Sequence, residues 1–335
     1  VTRFQERIEG ERIVNFFLIR DREIKTATNG KEYANFTLER DLDFIPARLW
    51  DINEEQKVVL QRRAVVKVDG LITSYRNQKQ LNIQRIRLAT DEDEVNITEL
   101  LSKPGLSREE LWHELRLLID EIQSPVLSTL VKKVLSDKKI RDKVTTIPAA
   151  KLWHHTYYAG LLEHIVHLCQ SIMQLIPLYP HINQDCVLTT AILHEIGKAE
   201  ALEDPIAPDY TTKGELMGHI VLGIEMINQA AYEAGIPRDN EELIAVKHCI
   251  LSQYGESEAA INQGFIVNKT AEAVFFHHLN QLNEKLNGLQ IIHDGSTEPW
   301  VYSSMFKRKM YKKQTTNEHS HRKSEGFNDE DGKAR

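Results

Sequence analysis

Ala191-Ile192-Leu193-His194-Glu195-Ile196-Gly197-Lys198 decides how this chain is read. An apolar run delivers two adjacent side chains of metal-ligand type, an imidazole and a carboxylate, followed by a Gly expected to end a helix and by a Lys. Packing alone explains this poorly, because it carries His194 and Glu195 into an apolar helix where each polar group must find a partner.

Outward from that stretch the pattern is helical from Ser107 to about Gly288. Ser107 and Glu110 have the spacing of a capping box, Leu161, Ile165 and Leu168 recur at helical intervals, and Pro148, Pro180, Pro205 and Pro237 punctuate the helices. Toward the N-terminus, Thr90-Asp91-Glu92-Asp93-Glu94 is acidic and strand-poor and reads as a linker. Before it the signals are of β structure: alternation from Val65 to Ile72, a turn at Asn29-Gly30, and a strand ending in Ala47-Arg48-Leu49-Trp50. Five short strands in so small a span suit a closed barrel of the OB-fold type. The expected chain is multidomain, α and β: a nucleic-acid-binding OB barrel in 1–95, a helical linker region in 96–145, an all-α domain in 146–305, and a tail in 306–335, basic and then disordered.

The 335 residues are too many for one ordinary core, and 41% hydrophobic residues are enough to fill two. A formal net charge of -7 argues against coating nucleic acid through a global field, so any such contact is a local patch. Cys169, Cys186 and Cys249 lie far apart in helix-like stretches, which indicates neither a disulfide framework nor a thiolate zinc site and fits a reducing cytoplasm. No leader-like start or uninterrupted membrane-length apolar run is read, so membrane insertion is not expected.

A centre that hydrolyses phosphodiesters needs imidazole and carboxylate ligands, an open position for water, and a cation beside the phosphate. The candidates are His164, His194 with Glu195, His219 and His248, each in a separate predicted helix or helix start. A lone His on an apolar helix is ordinarily a satisfied core residue; the joint order of these is what points to a site. Further motifs carry a resemblance. They are Lys31-Glu32-Tyr33, Ala47-Arg48-Leu49-Trp50-Asp51, His154-His155, Ala159-Gly160-Leu161-Leu162-Glu163-His164, the opening stretch, Tyr210 through Ile220, Leu251-Ser252-Gln253-Tyr254-Gly255, and Glu272-Ala273 through Asn283. Taken in that order, they make the chain resemble the YhaM-type 3'-to-5' exoribonucleases, also described as CMP-binding-factor proteins, which join an OB-fold to an HD phosphohydrolase domain. The resemblance implies that 146–305 is an HD domain and that His164, His194, Glu195 and His219 ligate a divalent metal, manganese foremost. It further implies that His194, Glu195 and Lys198 are catalytic, with Lys198 on phosphate, and that the protein is a homo-oligomer.

The family pattern has Asp at 195, a His pair at 253 and 254, and Asp at 280 and 283, where this chain has Glu195, Gln253, Tyr254, Asn280 and Asn283. Glu195 keeps the charge on a longer arm. Asn280 removes a charge from a position expected to bind metal, and Gln253 and Tyr254 remove imidazoles that a two-metal site would use. Two readings therefore stand: a hydrolase holding a single ion, or a catalytically degenerate protein that binds nucleic acid or a partner.

On the barrel, Tyr33, Arg48, Tyr75, Arg76 and Lys79 are the candidate contacts for single-stranded RNA or DNA, which is held by stacking bases on aromatics and passing phosphates along cations. Phe36 and Trp50 fit a barrel core as well as a stacking face. By the resemblance, Glu39-Arg40-Asp41-Leu42-Asp43 replaces a Gly-containing turn and adds negative charge near the expected groove, while the basic run Lys307–Lys313 offers phosphate contacts.

Overall fold

A computed structural model of the chain describes residues 4–312 except 76–77, 104, 106, 151–153, 206–207, 255–265 and 295–297. Strands β1 (Arg12–Thr26), β2 (Glu32–Arg40), β3 (Asp43–Trp50), β4 (Val65–Tyr75) and β5 (Gln78–Leu88) close a barrel in the order β1-β2-β3-β5-β4, with helix α1 (Glu54–Val59) between β3 and β4. The β3–β5 pair is parallel and the other pairs are antiparallel. Alternation explains the closure: Val66, Val68 and Ile72 of β4 point into a core with Phe17, Phe36, Leu38 and Leu81, while Lys67 and Asp69 face outward. Phe36 is thus a core residue and Trp50 a surface one.

The Glu39–Asp43 segment lies elsewhere than expected. Asp41 and Leu42, both at positive φ, make a two-residue turn between β2 and β3. That turn is at the far end of the β2–β3 ladder from the Tyr33–Trp50 pair, and the Asp41 N–H donates to Leu100 O at 2.9 Å. Glu39 is fully buried against Arg20, and Arg40 pairs with Asp41. Glu39 and Asp41 are thus paired with arginines, and the turn contacts the helices at Leu100 and lies away from the Tyr33–Trp50 end.

The helical region follows as α2 (Ile97–Leu101), α3 (Arg108–Asp120), α4 (Pro125–Ser136), α5 (Lys138–Val144), α6 (Gly160–Leu175), α7 (Gln184–Leu193), α8 (Lys198–Ala201), α9 (Thr212–Glu233), α10 (Glu241–Ser252) and α11 (Ala271–Asp294). Side-chain caps fix where they start: Ser107 accepts from Glu110 N, Ser124 from Leu127 N, Asn183 from Cys186 N and Thr211 from Gly214 N. One segment, 160–178, is long and apolar enough to cross a bilayer by length and composition, but α6, which it contains, buries Leu161, Leu162, Ile165, Leu168 and Ile172 in the core. The cysteines are buried and free.

Barrel and helices meet through Leu18, Leu100 and Leu101, with Tyr158 packed against them, and through Arg62 and Arg63 on Asp209 at 3.2 Å. A hairpin of β6 (Trp300–Ser303) and β7 (Arg308–Tyr311) follows α11, so much of the basic run is a strand that the sequence pattern did not reveal. The stretch expected to be disordered from about Thr315 lies outside the described residues.

Candidate metal centre and nucleic-acid interface

His164 sits one turn into α6, and His194 ends α7, directly before Glu195. Gly197 does not end a helix as read: its φ of -65° and ψ of -14° are helical, and it precedes α8. Its need for Gly is steric. A Cβ there would fall 2.0 Å from His219 O and 2.4 Å from Gly223 N, so only Gly lets α9 approach this closely. Gly218, at φ 73° and ψ 158°, interrupts α9 one residue before His219. These two glycines bring His219 beside Glu195 and Lys198, whose charges act on its ring.

The ligand-type atoms of His164, His194 and Glu195 lie within 4.8 Å of one another, all buried. The two Nε2 atoms face each other at 3.2 Å. His194 Nδ1 is 2.9 Å from Ala191 O, and His164 Nδ1 is 2.8 Å from Asn283 Oδ1, so each Nδ1–H donates to an oxygen and each Nε2 carries a lone pair. Burial lowers both rings, His194 to about 3, and lowers His219 to about 4, so none is doubly protonated at neutral pH. Burial alone would raise the Glu195 carboxyl, but Lys198 beside it holds it well below the usual carboxylate range. Neutral imidazoles and an ionised carboxylate are the protonation states in which such groups ligate metal. Glu195 Oε2 is buried without a hydrogen-bond partner, and with His164 and His194 it makes a donor set that fits a divalent cation; His219 Nε2 is also buried and unpartnered but falls outside that three-residue cluster.

The other expected residues are placed less simply. Lys198 directs its ammonium to Glu195 and to Ala149 O. Gln253 is buried with both side-chain polar atoms unpartnered, while Tyr254 is half exposed within electrostatic reach of Glu195. Asn280 Nδ2 donates to Glu284 Oε1 at 3.0 Å, and its Oδ1 has no partner. His248 is partly buried, accepts from Lys269 N at 3.0 Å, and belongs to neither of the two clusters of metal-ligand type among the described residues, His164–His194–Glu195 and His154–His155–His164.

Sequence reasoning missed His154 and Glu284 as part of this neighbourhood. The His154 ring is 5.3 Å from that of His164, and Glu284 Oε1 is 3.9 Å from His154 Nε2. Burial and then the Glu195 charge push the Glu284 carboxyl up to about 7. The available signal was periodicity, because Asn280, Asn283, Glu284 and Asn287 recur at helical spacing along one side of α11.

On the barrel, cross-strand neighbours Tyr33 and Trp50 have ring centroids 5.0 Å apart. The Arg48 guanidinium lies 5.0 Å over Tyr33, 5.1 Å over Trp50 and 5.8 Å from the Tyr75 ring, and donates to Asn35 Oδ1 at 2.9 Å. An adjoining hollow of about 320 Å³ is lined by Arg48, Tyr75, Lys79 and Asn35, with Asp21 and Glu23 also on its wall. Lys79 Nζ donates to Arg7 O at 2.7 Å. Arg76 lies outside the described residues.

No protein-family profile matches the chain. Whole-chain comparison does find relatives, each named 3'-5' exoribonuclease YhaM. That of Geobacillus sp. (strain WCH70) is 32% identical over 278 residues, covering 83% of this chain and 84% of the relative. That of Oceanobacillus iheyensis is 33% identical over 280 residues, 84% of this chain and 86% of the relative. The Bacillus subtilis (strain 168) protein is 30% identical over 278 residues, 83% of this chain and 86% of the relative.

Proposed function

The chain belongs to the YhaM family of 3'-5' exoribonucleases, and from that premise we propose that it binds single-stranded RNA or DNA on the barrel in 1–95 and hydrolyses 3'-terminal phosphodiesters in an HD domain spanning 146–305. His164, His194, Glu195 and His219 hold a divalent cation, manganese in this reading. Such an ion supplies charge to stabilise the phosphorane and lowers the pKa of water. The observation that carries the proposal is the convergence of His164 Nε2 and His194 Nε2, 3.2 Å apart, with the Glu195 carboxylate in one buried cluster.

The protein's own residues do the positioning. Asn283 and the Ala191 carbonyl fix the tautomers of His164 and His194 and so direct both Nε2 atoms to one point. Lys198 keeps Glu195 ionised and is the cation of the centre that would contact a phosphate. On the barrel, Tyr33, Trp50 and Tyr75 offer stacking surfaces around Arg48, with Lys79 at the rim.

The test is shortening of a 5'-labelled single-stranded RNA with manganese. We expect nucleoside monophosphates released from the 3' end, and no shortening with His194→Ala; equal rates for the two proteins would reject the assignment. A second reading is favoured by one observation: Lys198 already supplies a cation to Glu195, so a metal-free pocket is electrostatically tolerable. In that reading the chain is a binding module, and its RNA affinity is unchanged by chelator while the wild-type protein releases no monophosphate.

A further inference from the structure

On α11 this chain has amides at Asn280 and Asn283, and the same helix carries a carboxylate, Glu284, one turn beyond Asn280. Glu284 Oε1 accepts from Asn280 Nδ2 at 3.0 Å and stands 3.9 Å from His154 Nε2. The second distance is too long for a hydrogen bond. It suits two ligands of one ion, since bonds of about 2.1 Å allow a span of up to about 4.2 Å. His154 Nδ1 faces His155 Nδ1 at 3.5 Å, which turns Nε2 toward Glu284. Asn280 is 2% exposed, and its Oδ1 has no partner. An imidazole, a carboxylate and an amide oxygen thus lie at one place, with the His154 ring 5.3 Å from that of His164.

We propose that His154, Glu284 and Asn280 form a second divalent-cation site beside the His164–His194–Glu195–His219 centre, Glu284 supplying the carboxylate that positions 280 and 283 do not. The ligand class is a hard or borderline cation such as manganese or magnesium, which accepts carboxylate and carbonyl oxygen with one imidazole. Asn280 has two parts here: its Nδ2 orients the carboxylate, and its Oδ1 adds an oxygen. The site rests on reading the first centre as a metal site, but its residues are separate.

The test titrates the full chain with manganese alone, counting bound ions by equilibrium dialysis with elemental analysis and by calorimetry, with thermal unfolding to confirm that each variant is folded. We expect two ions per wild-type chain. Glu284→Gln, which keeps the shape and the Asn280 contact, should bind one, the first site retaining its affinity. Asn280→Asp should act in the opposite direction and tighten the second ion about tenfold or more. His194→Ala should lose the first ion. Two ions in Glu284→Gln, or one in the wild-type chain, overturns the second site and leaves the proposed exonuclease standing; none in the wild-type chain overturns both.

Discussion

The barrel face and the histidine centre handle polar chemistry in opposite ways. On the barrel, Tyr33, Arg48, Trp50 and Tyr75 are wholly or partly exposed and satisfy one another through stacking and a hydrogen bond to Asn35. In the centre, His164, His194 and Glu195 are buried, and Glu195 Oε2 has no hydrogen-bond partner, nor have the nearby His219 Nε2 and Asn280 Oδ1. A buried polar atom left unpaired costs about 1–3 kcal/mol. Exposed aromatics carry no such penalty. The barrel face therefore satisfies its own polar groups, whereas the centre leaves buried polar atoms unpaired, and mutations should separate the two.

The sharpest separation is His194→Ala. If His194, which faces His164 at 3.2 Å, is a ligand as proposed, its loss should reduce manganese affinity at the first site well beyond the ~10–100-fold typical of residues behind the ligands. Oligonucleotide binding by the barrel should stay unchanged. Calorimetry with manganese and a fluorescence titration with a short single-stranded RNA check the two halves. A loss of both together would mean that the regions are coupled and would break the comparison.

Asn283→Ala is next. Its Oδ1 accepts the His164 Nδ1–H at 2.8 Å, so its removal frees the tautomer without removing a ligand, and manganese affinity should fall about 10–100-fold. The reciprocal change is Trp50→Ala on the barrel. RNA binding should weaken by about 1 kcal/mol, the low end for one stacked base, because Arg48 and Tyr33 already cover part of the ring; manganese binding should not move. A Trp50→Ala protein that binds RNA normally would assign that ring to the surface alone.

The same contrast explains what was legible in the sequence. The barrel strands follow from period-two alternation, and the helix starts from Ser, Asn and Thr caps, because those signals are local. His194-Glu195 announced the centre for the same reason, being adjacent in the chain. His154 and Glu284 did not: periodicity puts Glu284 on the polar side of α11, but its meeting with His154 comes only when the loop before α6 packs on that helix. Gly197 was noticed but given the wrong reason: a helix end is a local inference, whereas its close approach to His219 and Gly223 is a property of two helices. The Glu39–Asp43 turn misled similarly, because charge along a sequence does not reveal that Glu39 is buried on Arg20.

The smallest expected effect concerns pH. Residues 1–95 contain no histidine, whereas the helical region buries His154, His155, His164 and His194 and partly buries His219, all lowered chiefly by burial. For such a group the unfolded chain takes up a proton below about pH 6.5 and the folded chain does not, so stability is full above that value and falls as pH drops toward the folded pKa. Glu284 acts with the opposite sign: its carboxyl, raised to about 7, favours the folded state at low pH and loses that contribution as pH rises from about 4.5 to 7. Buried Glu39, also raised, acts in the same sense within the barrel. Five histidines outweigh two carboxyls, so in the presence of chelator the melting temperature should fall from pH 7 to pH 5. Hydrogen exchange over the same range should place the loss in α6, α7 and α9, with barrel amides protected as before. Loss of protection shared equally by the barrel would mean that the histidines are not held neutral by the fold, and the first cation site would lose its lone pairs with them.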